Sequence, residues 1–404
     1  MGKNIYLGYV IEKEWMKKYP VASPAGNNFQ IGFIEAWKKK KNIQVYSILP
    51  VASWPQDDRI IITKSTEKNK LEIKVLPFIN IKFLKEISIM ISVAKTIRRE
   101  CKTARTNQIN IITYNGNGPV SLPVLWLKKK YEFNYICLVV DPPLYQGTTD
   151  RRGKIWNYLY RKLSDSFMKA ARECDICVVL NAYFAKEYLK RDDFYVLDCG
   201  INLGEKEVRK DKKEFQYWEK DDNIHMVFTG MLHEHSGIMR FIDMFEKIKI
   251  NGLILHIFGK GIYEEKIKNI SEKSSKIVYH GYIDNDLIRE IQQHADILIC
   301  PNTIDHPINK VAFPSKIQEY MLSGVPVLAT EVNGLGKEYY PYLYTYDDTL
   351  EGLKKTMLQL LEDGKDVRIR KAFKAKQFII QEKNWDTQIE KLMCYLDSNL
   401  KHQK

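Results

Sequence analysis

Residues 301–330 constrain the fold of this chain more than any other stretch. The apolar run Asp296–Cys300 stops at a proline, and a polar loop follows. Pro314–Tyr320 then predicts the start of a helix, because proline fits the first helical turn, where its missing N–H is not needed. Ser323 and Gly324 end that helix, and Val325–Thr330 is a second apolar run. This order predicts a strand, a helix and a second strand of a parallel α/β sheet.

The start of this predicted helix carries polar side chains suited to a nucleotide. Ser315 and Lys316 occupy the end where backbone N–H groups point outward, and such an end binds phosphate. Glu319 follows on the next turn, where its carboxylate would accept hydrogen bonds from ribose hydroxyls. The stretch therefore predicts a site for a nucleotide or a nucleotide sugar.

Strand and helix patterns alternate through both halves of the 404-residue chain. The segment 204–222 between the halves is strongly charged and has no hydrophobic period, so we interpret it as a linker. We predict an α/β protein with a first domain over residues 1–203 and a second over 223–380, two doubly wound domains that face a cleft. Residues 381–404 predict a C-terminal helix that packs back toward the first domain.

Charge is distributed unevenly between the two halves. Residues 1–200 hold 33 Lys and Arg against 19 Asp and Glu, a net charge of +14, whereas the remaining residues have a net charge of −1. A basic half predicts an anionic partner such as a membrane surface, a lipid diphosphate or a nucleic acid. A nucleic acid would explain the charge but not the nucleotide-binding pattern of the second half, so we expect no nucleic-acid partner.

Cysteine usage and hydropathy indicate the compartment. The seven cysteines are scattered, and the only close pair, Cys174 and Cys177, lies in an apolar segment without a second pair to complete a metal site. Free thiols of this kind are typical of a reducing cytosol. No run of eighteen apolar residues and no signal peptide is present, so we expect a cytoplasmic protein, peripheral at the inner face of the cell membrane.

The predicted helix 83–105 allows two interpretations. Apolar residues from Phe83 to Cys101 recur at helical spacing between seven Lys and Arg residues. A basic amphipathic helix of this kind lies on anionic membranes. The same pattern is also that of a surface helix packed on its own sheet, because any such helix has one apolar stripe.

Two further positions stand where a strand pattern gives way to a loop. Ser236 and Gly237 precede a predicted helix, so their backbone N–H groups would face a phosphate. Asp141 ends a predicted strand of the first domain. Its carboxylate would orient an acceptor hydroxyl as a catalytic group, or it would cap a turn.

The second half resembles the donor-binding domain of GT-B glycosyltransferases, family 4 or group 1 type. That family carries a Glu, seven residues and a second Glu, followed by a Gly-x-Pro-Val strand. Glu319 and the strand starting at Gly324 match the second part, but Val311 stands eight positions before Glu319 in place of the first Glu. The run Pro314–Tyr320 is similar to a Pro-Ser-Lys…Glu-Tyr variant found in bacterial polysaccharide glycosyltransferases.

The resemblance implies further donor-site residues, each after a predicted strand. They are Gly230, the Gly-x-Gly pair Gly259 and Gly261, and Tyr282 in the turn that contacts the nucleobase in the family. Relatives also carry an Arg after the first of these glycines and a Lys at the helix start. This chain has Met231 and Ser236 there, so Lys316 is expected to supply the phosphate charge and to act as a catalytic residue. Before the first predicted helix, Gly26, Asn27 and Asn28 match a glycine-rich loop near the acceptor, or they form a solvated turn.

The implied reaction is transfer of a sugar, with retained configuration, from a UDP- or GDP-linked donor. No metal and no separate cofactor is expected, since the chain has no Asp-x-Asp motif, and the leaving phosphate would take the acceptor proton. The basic first half is expected to meet an anionic membrane surface and a lipid-linked glycan acceptor. Such a pattern indicates biosynthesis of a capsule, an exopolysaccharide or another cell-surface polysaccharide.

Two alternative functions share the predicted fold. Loss of the first Glu and of both usual cations favours a non-catalytic GT-B partner subunit of a glycosyltransferase complex. Retention of Lys316 and Glu319 argues against that alternative. A sugar-nucleotide epimerase of the same fold needs acidic catalytic residues, for which Asp141 is the one candidate that we find.

Overall fold

A computed structural model describes residues 2–63, 69–104, 108–116, 118–140, 168–202, 215, 217–219, 221–283 and 285–400. The chain divides into two compact units. The first unit contains Met1–Gly200 together with Trp385–Lys404, and the second contains Ile201–Asn384.

The first unit is built on a seven-stranded parallel sheet in the order β4-β2-β1-β6-β7-β8-β9. Its central strands are almost completely buried, as expected for a sheet that is covered on both faces. The strands are β1 (Lys3–Gly8), β2 (Ile43–Ser47), β4 (Lys74–Val75), β6 (Ile109–Tyr114), β7 (Asn134–Val139), β8 (Ile176–Val179) and β9 (Tyr195–Val196). A separate antiparallel pair joins β3 (Ile61–Ile62) to β5 (Phe78–Ile79).

The longer helices described in the first unit are α1 (Pro24–Lys40), α2 (Leu84–Thr103) and α3 (Gly118–Lys128). Helix α1 begins at Pro24 and so includes Gly26, Asn27 and Asn28, which we predicted to precede the helix. The reason is local, because Ser23 caps the helix by accepting the N–H of Gly26 at 3.2 Å and Pro24 stands at the first helical position. A short helix over Ala182–Phe184 continues as a wider turn over Ala185–Leu189.

The last helix, α11 (Trp385–Asn399), packs on α1 within the first unit. The Trp385 indole is buried and meets the Phe29 ring edge-on, with ring centroids 4.9 Å apart. It lies directly over Gly32 and Gly200, where a Cβ atom would come within 2.0 and 2.3 Å of the indole. These two glycines therefore make the space that the tryptophan occupies.

Gly32→Ala should destabilise the first unit, although glycine to alanine inside a helix normally stabilises by about 1 kcal/mol. The new methyl group would collide with the Trp385 ring, and overpacking of this kind costs about 1–3 kcal/mol. Urea unfolding followed by tryptophan fluorescence measures the change. A stability equal to or above that of the wild type would show that α11 is not held by this contact.

The second unit has a six-stranded parallel sheet in the order β12-β11-β10-β13-β14-β15. Successive strands run outward from β10 to β12, and the chain then crosses to the other side of β10 to form β13. The point between β10 and β13 is therefore a topological switch point, where sheets of this type bind ligands. The strands are β10 (Ile224–Thr229), β11 (Leu253–Phe258), β12 (Ile277–Gly281), β13 (Ile297–Cys300), β14 (Val327–Thr330) and β15 (Tyr344–Tyr346).

The helices of the second unit lie between its parallel strands and after the last of them. They are α4 (Ile238–Lys247), α5 (Glu264–Ser271), α6 (Asn285–His294), α7 (Pro307–Val311), α8 (Ser315–Ser323), α9 (Leu350–Glu362) and α10 (Gly364–Glu382). Phe241, Ile242 and Phe245 of helix α4 pack in the hydrophobic core formed with the sheet. Two parallel, doubly wound sheets confirm the predicted α/β fold class.

The segment 204–222, predicted as a linker, lies mostly outside the described residues. Three aromatic side chains inside it are described, and they pack on the second unit. Trp218 stacks on His225 and His256 with ring centroids 5.4 and 4.3 Å away, and Phe215 stacks on His294 at 4.1 Å. This part of the segment is thus attached to the sheet of the second unit.

Candidate functional site

The carboxyl ends of the second unit's strands bring the predicted donor-site residues to one edge of the sheet. Gly230 follows β10, Gly259 and Gly261 follow β11, and Tyr282 follows β12. Helix α8, with Lys316 and Glu319, follows β13 on the other side of the switch point. Parallel strands place all these segments at the same edge, which is where such sheets bind nucleotides.

The glycines at this edge allow loops to approach each other. A Cβ atom on Gly237, whose φ is +67°, would lie 1.7 Å from the carbonyl oxygen of Pro301. One on Gly259 would lie 1.8 Å from the oxygen of Gly230, and one on Gly261 would lie 2.5 Å from that of Leu232. These glycines therefore fix the loops around the switch point. Gly281, with φ of +78°, has no neighbour within 4 Å of its Cβ position among the described residues.

The turn before α4 uses the N–H groups that we expected to face a phosphate. Ser236 N–H donates to His233 O at 3.1 Å, and Gly237 N–H donates to Glu234 O at 3.1 Å. The Ser236 hydroxyl also donates to His233 O at 2.6 Å, and its side chain is buried. Neither residue therefore offers a donor to a ligand in this conformation. The first residues of α4 differ from them, because the opening N–H groups of a helix have no intrahelical acceptor.

At the start of α8, Lys316 and Glu319 form one ion pair. The Lys316 Nζ atom lies 3.1 Å from Glu319 Oε2, and both side chains are a little over one-third exposed. We predicted separate roles for them, the Lys on phosphate and the Glu on ribose, and the structure places the two groups in contact. Partly exposed pairs of this kind contribute little stability, so a ligand can separate them at small cost.

Behind this pair lies a buried polar network that the sequence did not predict. Gln292 on α6 is 1 % exposed, and its Nε2 donates to Glu319 Oε1 at 2.9 Å and to Thr229 Oγ1 at 3.1 Å. The Tyr320 hydroxyl donates to Thr229 O and accepts the Thr229 N–H, both at 3.0 Å. This network joins the end of β10 to α8 and fixes the Glu319 carboxylate. A lone Gln in an amphipathic helix gave no signal of it.

Two other groups of basic side chains lie at or next to the turn before α4. Arg240 donates to Asp348 O at 2.6 Å and lies 3.1 Å from Asp348 Oδ1, so it holds the loop after β15. The imidazoles of His233, His235 and His306 form a half-buried cluster with ring centroids 5.8 Å apart in successive pairs. Burial, together with the charges of His306 and His233, lowers the pKa of His235.

The position of the family's first Glu is structural in this chain. Val311 ends the short helix α7 and is 2 % exposed, so it contributes an apolar contact and no charge. In the same helix, Asn309 donates to His235 O at 2.6 Å and to Thr303 O at 2.8 Å. Helix α7 thereby fastens the loop after β13 to the turn before α4.

On the β11–β12 side of the edge, an exposed aromatic ring faces a cation. Tyr282 is 56 % exposed, and Lys260 Nζ lies 4.2 Å from the centroid of its ring. Lys260 stands between Gly259 and Gly261 in the loop after β11. An exposed ring beside a cation offers a surface on which a planar base can stack.

The acceptor-side residues of the first unit differ from the prediction. Gly26, Asn27 and Asn28 belong to the first turns of α1 and do not form a loop. The Asn27 amide is buried, accepting the N–H of Ile11 at 2.9 Å and donating to its carbonyl at 3.0 Å, so it fastens the segment after β1. Of the three, only Asn28 is exposed. Asp141 lies outside the described residues.

A chain of three histidines crosses the β10–β12 side of the second sheet, and no sequence pattern predicted it. His225 Nδ1 lies 2.9 Å from His256 Nε2, and His256 Nδ1 lies 2.9 Å from His280 Nε2. Asp221 Oδ1 accepts from His225 Nε2 at 3.0 Å. Each link needs one donor and one acceptor, which neutral imidazoles supply. Burial lowers the pKa of His256 to about 3, with the His280 and His225 charges acting in the same direction, and burial lowers that of His280 to about 4.

These depressed pKa values predict that the second unit loses stability in mild acid. Well above pH 6.5 both imidazoles are neutral in the folded and in the unfolded chain. Below pH 6.5 both imidazoles of the unfolded chain take up protons, whereas in the folded chain His280 takes up its proton only near pH 4 and His256 only near pH 3. His256 alone should lower the free energy of unfolding by up to about 1.4 kcal/mol for each pH unit of acidification in that range. Urea unfolding of wild type and His256→Gln between pH 4.5 and 7.5 measures the slope. The slope of the unfolding free energy against pH should be smaller in the variant by the contribution of about one proton. An unchanged slope would contradict the proposed effect of the three histidines on stability.

Helix α2 of the first unit has two apolar faces. Ile89, Val93 and Ile97 are buried, whereas Ile87 and Ile91 are 56 % and 50 % exposed. This corrects the single apolar stripe that we predicted from Phe83 to Cys101. The exposed side chains continue onto the neighbouring β3–β5 pair, and we refer to them as the apolar patch: Ile61, Ile79, Phe83, Leu84, Ile87 and Ile91.

Phe83 is the most exposed side chain of the apolar patch. Its side chain is 68 % exposed, and its φ of +70° is a left-handed conformation that is unfavourable for a bulky residue. Lys82 Nζ lies 5.5 Å from the centroid of its ring.

Within the described residues, no helix is both long and apolar enough to cross a bilayer. The same part of the chain contains no group of three or more His, Cys, Asp or Glu side chains arranged to hold a metal ion.

Comparisons with known proteins agree with the geometry of the second unit. Residues 223–363 match the family model of the glycosyl transferases group 1. An uncharacterized glycosyltransferase of Methanocaldococcus jannaschii is 25% identical over 170 residues, which cover 40% of this chain and 40% of that protein. The alignment thus spans less than half of that relative.

Solved structures extend the similarity to the whole chain at the level of fold. Sucrose-phosphate synthase from Thermosynechococcus elongatus superposes with a TM-score of 0.61 at 13% identity and covers 100% of both chains. Anabaena HepE in complex with UDP gives a TM-score of 0.57 at 13% identity, covering 98% of this chain and 100% of HepE. The fold is therefore that of the GT-B glycosyltransferases.

Proposed function

We propose that this chain, whose residues 223–363 match the family model of the glycosyl transferases group 1, transfers a sugar from a nucleotide-sugar donor to a glycan acceptor. The observation that carries the proposal is the Lys316–Glu319 pair at the start of α8, fixed from behind by Gln292 beside the switch point. It combines a helix start, a cation and a positioned carboxylate where α/β sheets bind nucleotides.

In this proposal, the second unit holds the donor along the edge of its sheet. Tyr282 and Lys260 take the base, Glu319 accepts hydrogen bonds from the ribose, and Lys316 with the N–H groups at the start of α4 holds the diphosphate. At the start of α8, the Ser315 N–H donates to Phe313 O at 2.9 Å and the Ile317 N–H donates to Pro314 O at 3.0 Å, so neither is offered to the ligand. A UDP-linked donor is the first choice, because the UDP-bound HepE structure shares the fold. Binding would replace the Lys316–Glu319 contact by two contacts to the ligand.

The chemistry proposed is departure of a nucleoside diphosphate, stabilised by fixed dipoles and the Lys316 ammonium group. Such preorganised groups act where negative charge develops in the transition state. The departing phosphate oxygen accepts the proton of the acceptor hydroxyl, so no protein base is required, and the configuration at the sugar is retained. Asp141 remains our proposal for orienting the acceptor.

The acceptor proposed is a lipid-linked glycan, with the enzyme held at a membrane surface by the first unit. The apolar patch and the net charge of +14 over residues 1–200 support this, because apolar insertion and attraction to anionic lipid act together in peripheral binding. A lipid-linked acceptor would place the chain in cell-surface polysaccharide biosynthesis, at the cytoplasmic face of the membrane.

A screen of nucleoside diphosphates tests the donor site directly. A ligand that binds only the folded state raises the melting temperature by mass action. UDP or GDP at millimolar concentration should raise the melting temperature, and Glu319→Gln should reduce that rise by weakening the charge-assisted bonds to ribose. If none of UDP, GDP, ADP and TDP shifts melting, the proposed donor site is wrong.

One alternative retains a specific observation in its favour. Val311 and Met231 stand where relatives carry charged residues, which would suit a partner subunit that binds a nucleotide without transferring a sugar. Nucleotide binding alone does not separate that alternative from an enzyme. Transfer of labelled sugar does separate them.

A further inference from the structure

The first unit contains a groove of about 700 Å³ that plays no part in the donor site. It lies between α2 and the edge strand β4, and residues of β2, β4, α2 and the segment just after β4 line it. Every lining residue belongs to the first unit, so the groove is independent of the nucleotide site on the second.

Three cations gather in this groove. Lys74, Lys95 and Arg99 all line it. Lys74 Nζ and Arg99 Cζ lie 5.4 and 5.9 Å from the centroid of the same Tyr46 ring. Among the described residues, neither Lys74 nor Lys95 forms a salt bridge. Like charges collected around one ring repel each other unless an anion joins them.

The nearby carboxylates offset only part of this charge. Glu100 lines the groove, but its Oε2 lies 2.7 Å from Lys3 Nζ, and its Oε1 lies 3.0 Å from Arg99 and accepts from the Tyr46 hydroxyl at 2.8 Å. Glu72, whose charge also acts on Lys74, is held by Lys38 at 2.8 Å. The positive charge in the groove thus exceeds the negative charge that faces it.

Neutral groups in the groove suit a phosphate with an attached organic group. Ser92 and Thr96 face it from α2 with hydroxyl donors, and Val75 and Leu76 supply apolar wall. A volume of about 700 Å³ is far larger than an inorganic ion requires. We propose that this groove binds a phosphomonoester, with Lys74, Lys95 and Arg99 around the phosphate.

Two sources share this chemistry, a phosphorylated lipid headgroup and a soluble phosphorylated sugar. The position of Lys95 favours the lipid. It stands one helical turn after Ile91 on α2, so the exposed apolar line of the patch leads to the mouth of the groove. A headgroup would reach the cations while its acyl chains lie beside Ile87 and Ile91.

The first test uses soluble probes and a charge-matched control. Titration calorimetry with glycerol 3-phosphate and with short-chain phosphatidic acid below its micelle concentration should show binding to wild type. The variant Lys74→Gln/Lys95→Gln should weaken it at least tenfold. The control Arg98→Gln/Lys102→Gln removes the same charge from exposed positions of α2 outside the groove and should stay within twofold. Equal weakening by both variants, or no binding by wild type, would overturn the proposal.

The second test separates the two sources. Vesicles of phosphatidylcholine carrying phosphatidic acid, a monoester, are compared with vesicles carrying phosphatidylglycerol, a diester, at equal surface charge. A lipid source predicts that wild type prefers phosphatidic acid severalfold and that Lys74→Gln/Lys95→Gln loses this preference. Binding of glycerol 3-phosphate without any vesicle preference assigns the groove to a soluble phosphomonoester. Neither probe requires sugar transfer, so failure here leaves the donor site untouched.

Discussion

Replacing Lys316 with alanine should lower the rate of sugar transfer by about two to three orders of magnitude. At the two positions where relatives carry phosphate cations, this chain has Met231 and Ser236. Arg240 is paired with Asp348. Lys316 is thus the lysine placed by α8 at the switch point to meet the leaving diphosphate. Removing one preorganised electrostatic group costs a factor of about 10²–10³ in turnover. The loss should appear in kcat, because the charge that Lys316 meets develops in the transition state.

Three matched variants make this test specific. Lys337→Ala removes an exposed lysine elsewhere in the second unit and should leave turnover unchanged. Glu319→Gln keeps the shape of the site and frees Lys316 from its ion pair, so it should mainly raise the KM for the donor. If Lys316→Ala keeps near-normal turnover while His235→Ala abolishes it, the histidine cluster of His233, His235 and His306 carries the phosphate charge instead.

Making the apolar patch polar should release the protein from membranes. Burying an isoleucine side chain in an apolar medium contributes about 1.5–3 kcal/mol, and Ile87 and Ile91 are each about half exposed in the free protein. The double variant Ile87→Ser/Ile91→Ser should therefore weaken binding to anionic vesicles by about 10- to 150-fold. Sedimentation with vesicles of mixed phosphatidylcholine and phosphatidylglycerol measures the partition.

The second unit provides the control for this prediction. Leu358→Ser/Ile369→Ser changes two side chains that are 41 % and 50 % exposed and lie outside the first unit. It should leave vesicle binding as in wild type, and added salt should weaken the binding of every form, because screening reduces attraction to the charged lipid. Equal loss in both double variants, or equal binding to neutral and anionic vesicles, would show that the apolar patch is not the membrane contact.

Local patterns predicted the fold class and the second unit well. The apolar runs at β13 and β14 and the proline, serine and glycine signals around α8 fixed that strand–helix–strand unit from its own residues. The grouping of Gly230, Gly259, Lys316 and Glu319 at one sheet edge followed because parallel strands end on the same side. The prediction that the two α8 side chains act separately missed their contact, which depends on rotamers.

Features set by distant contacts were not accessible from the sequence. Gln292 meets Glu319 only because α6 and α8 are neighbours. The histidine chain exists only because the strand register places three imidazoles diagonally next to each other across β10, β11 and β12. Asn27 resembles a loop residue by type, yet its amide is bound to the backbone of Ile11. The two faces of α2 divided differently from the predicted stripe, because the helix packs on α3 and β5 and these contacts leave Ile87 and Ile91 exposed.

Transfer of labelled sugar from a nucleotide donor to membrane lipid tests the central claim most directly. The donor is the conjugate of the diphosphate that shifts melting, and the acceptor is a membrane extract of the source organism. We predict that wild type moves label into the organic-soluble fraction with release of the nucleoside diphosphate, and that Lys316→Ala does so at about one hundredth of the rate or less. If wild type binds the nucleotide but moves no label into any acceptor fraction, the chain is a nucleotide-binding partner subunit and the proposed enzyme activity is wrong.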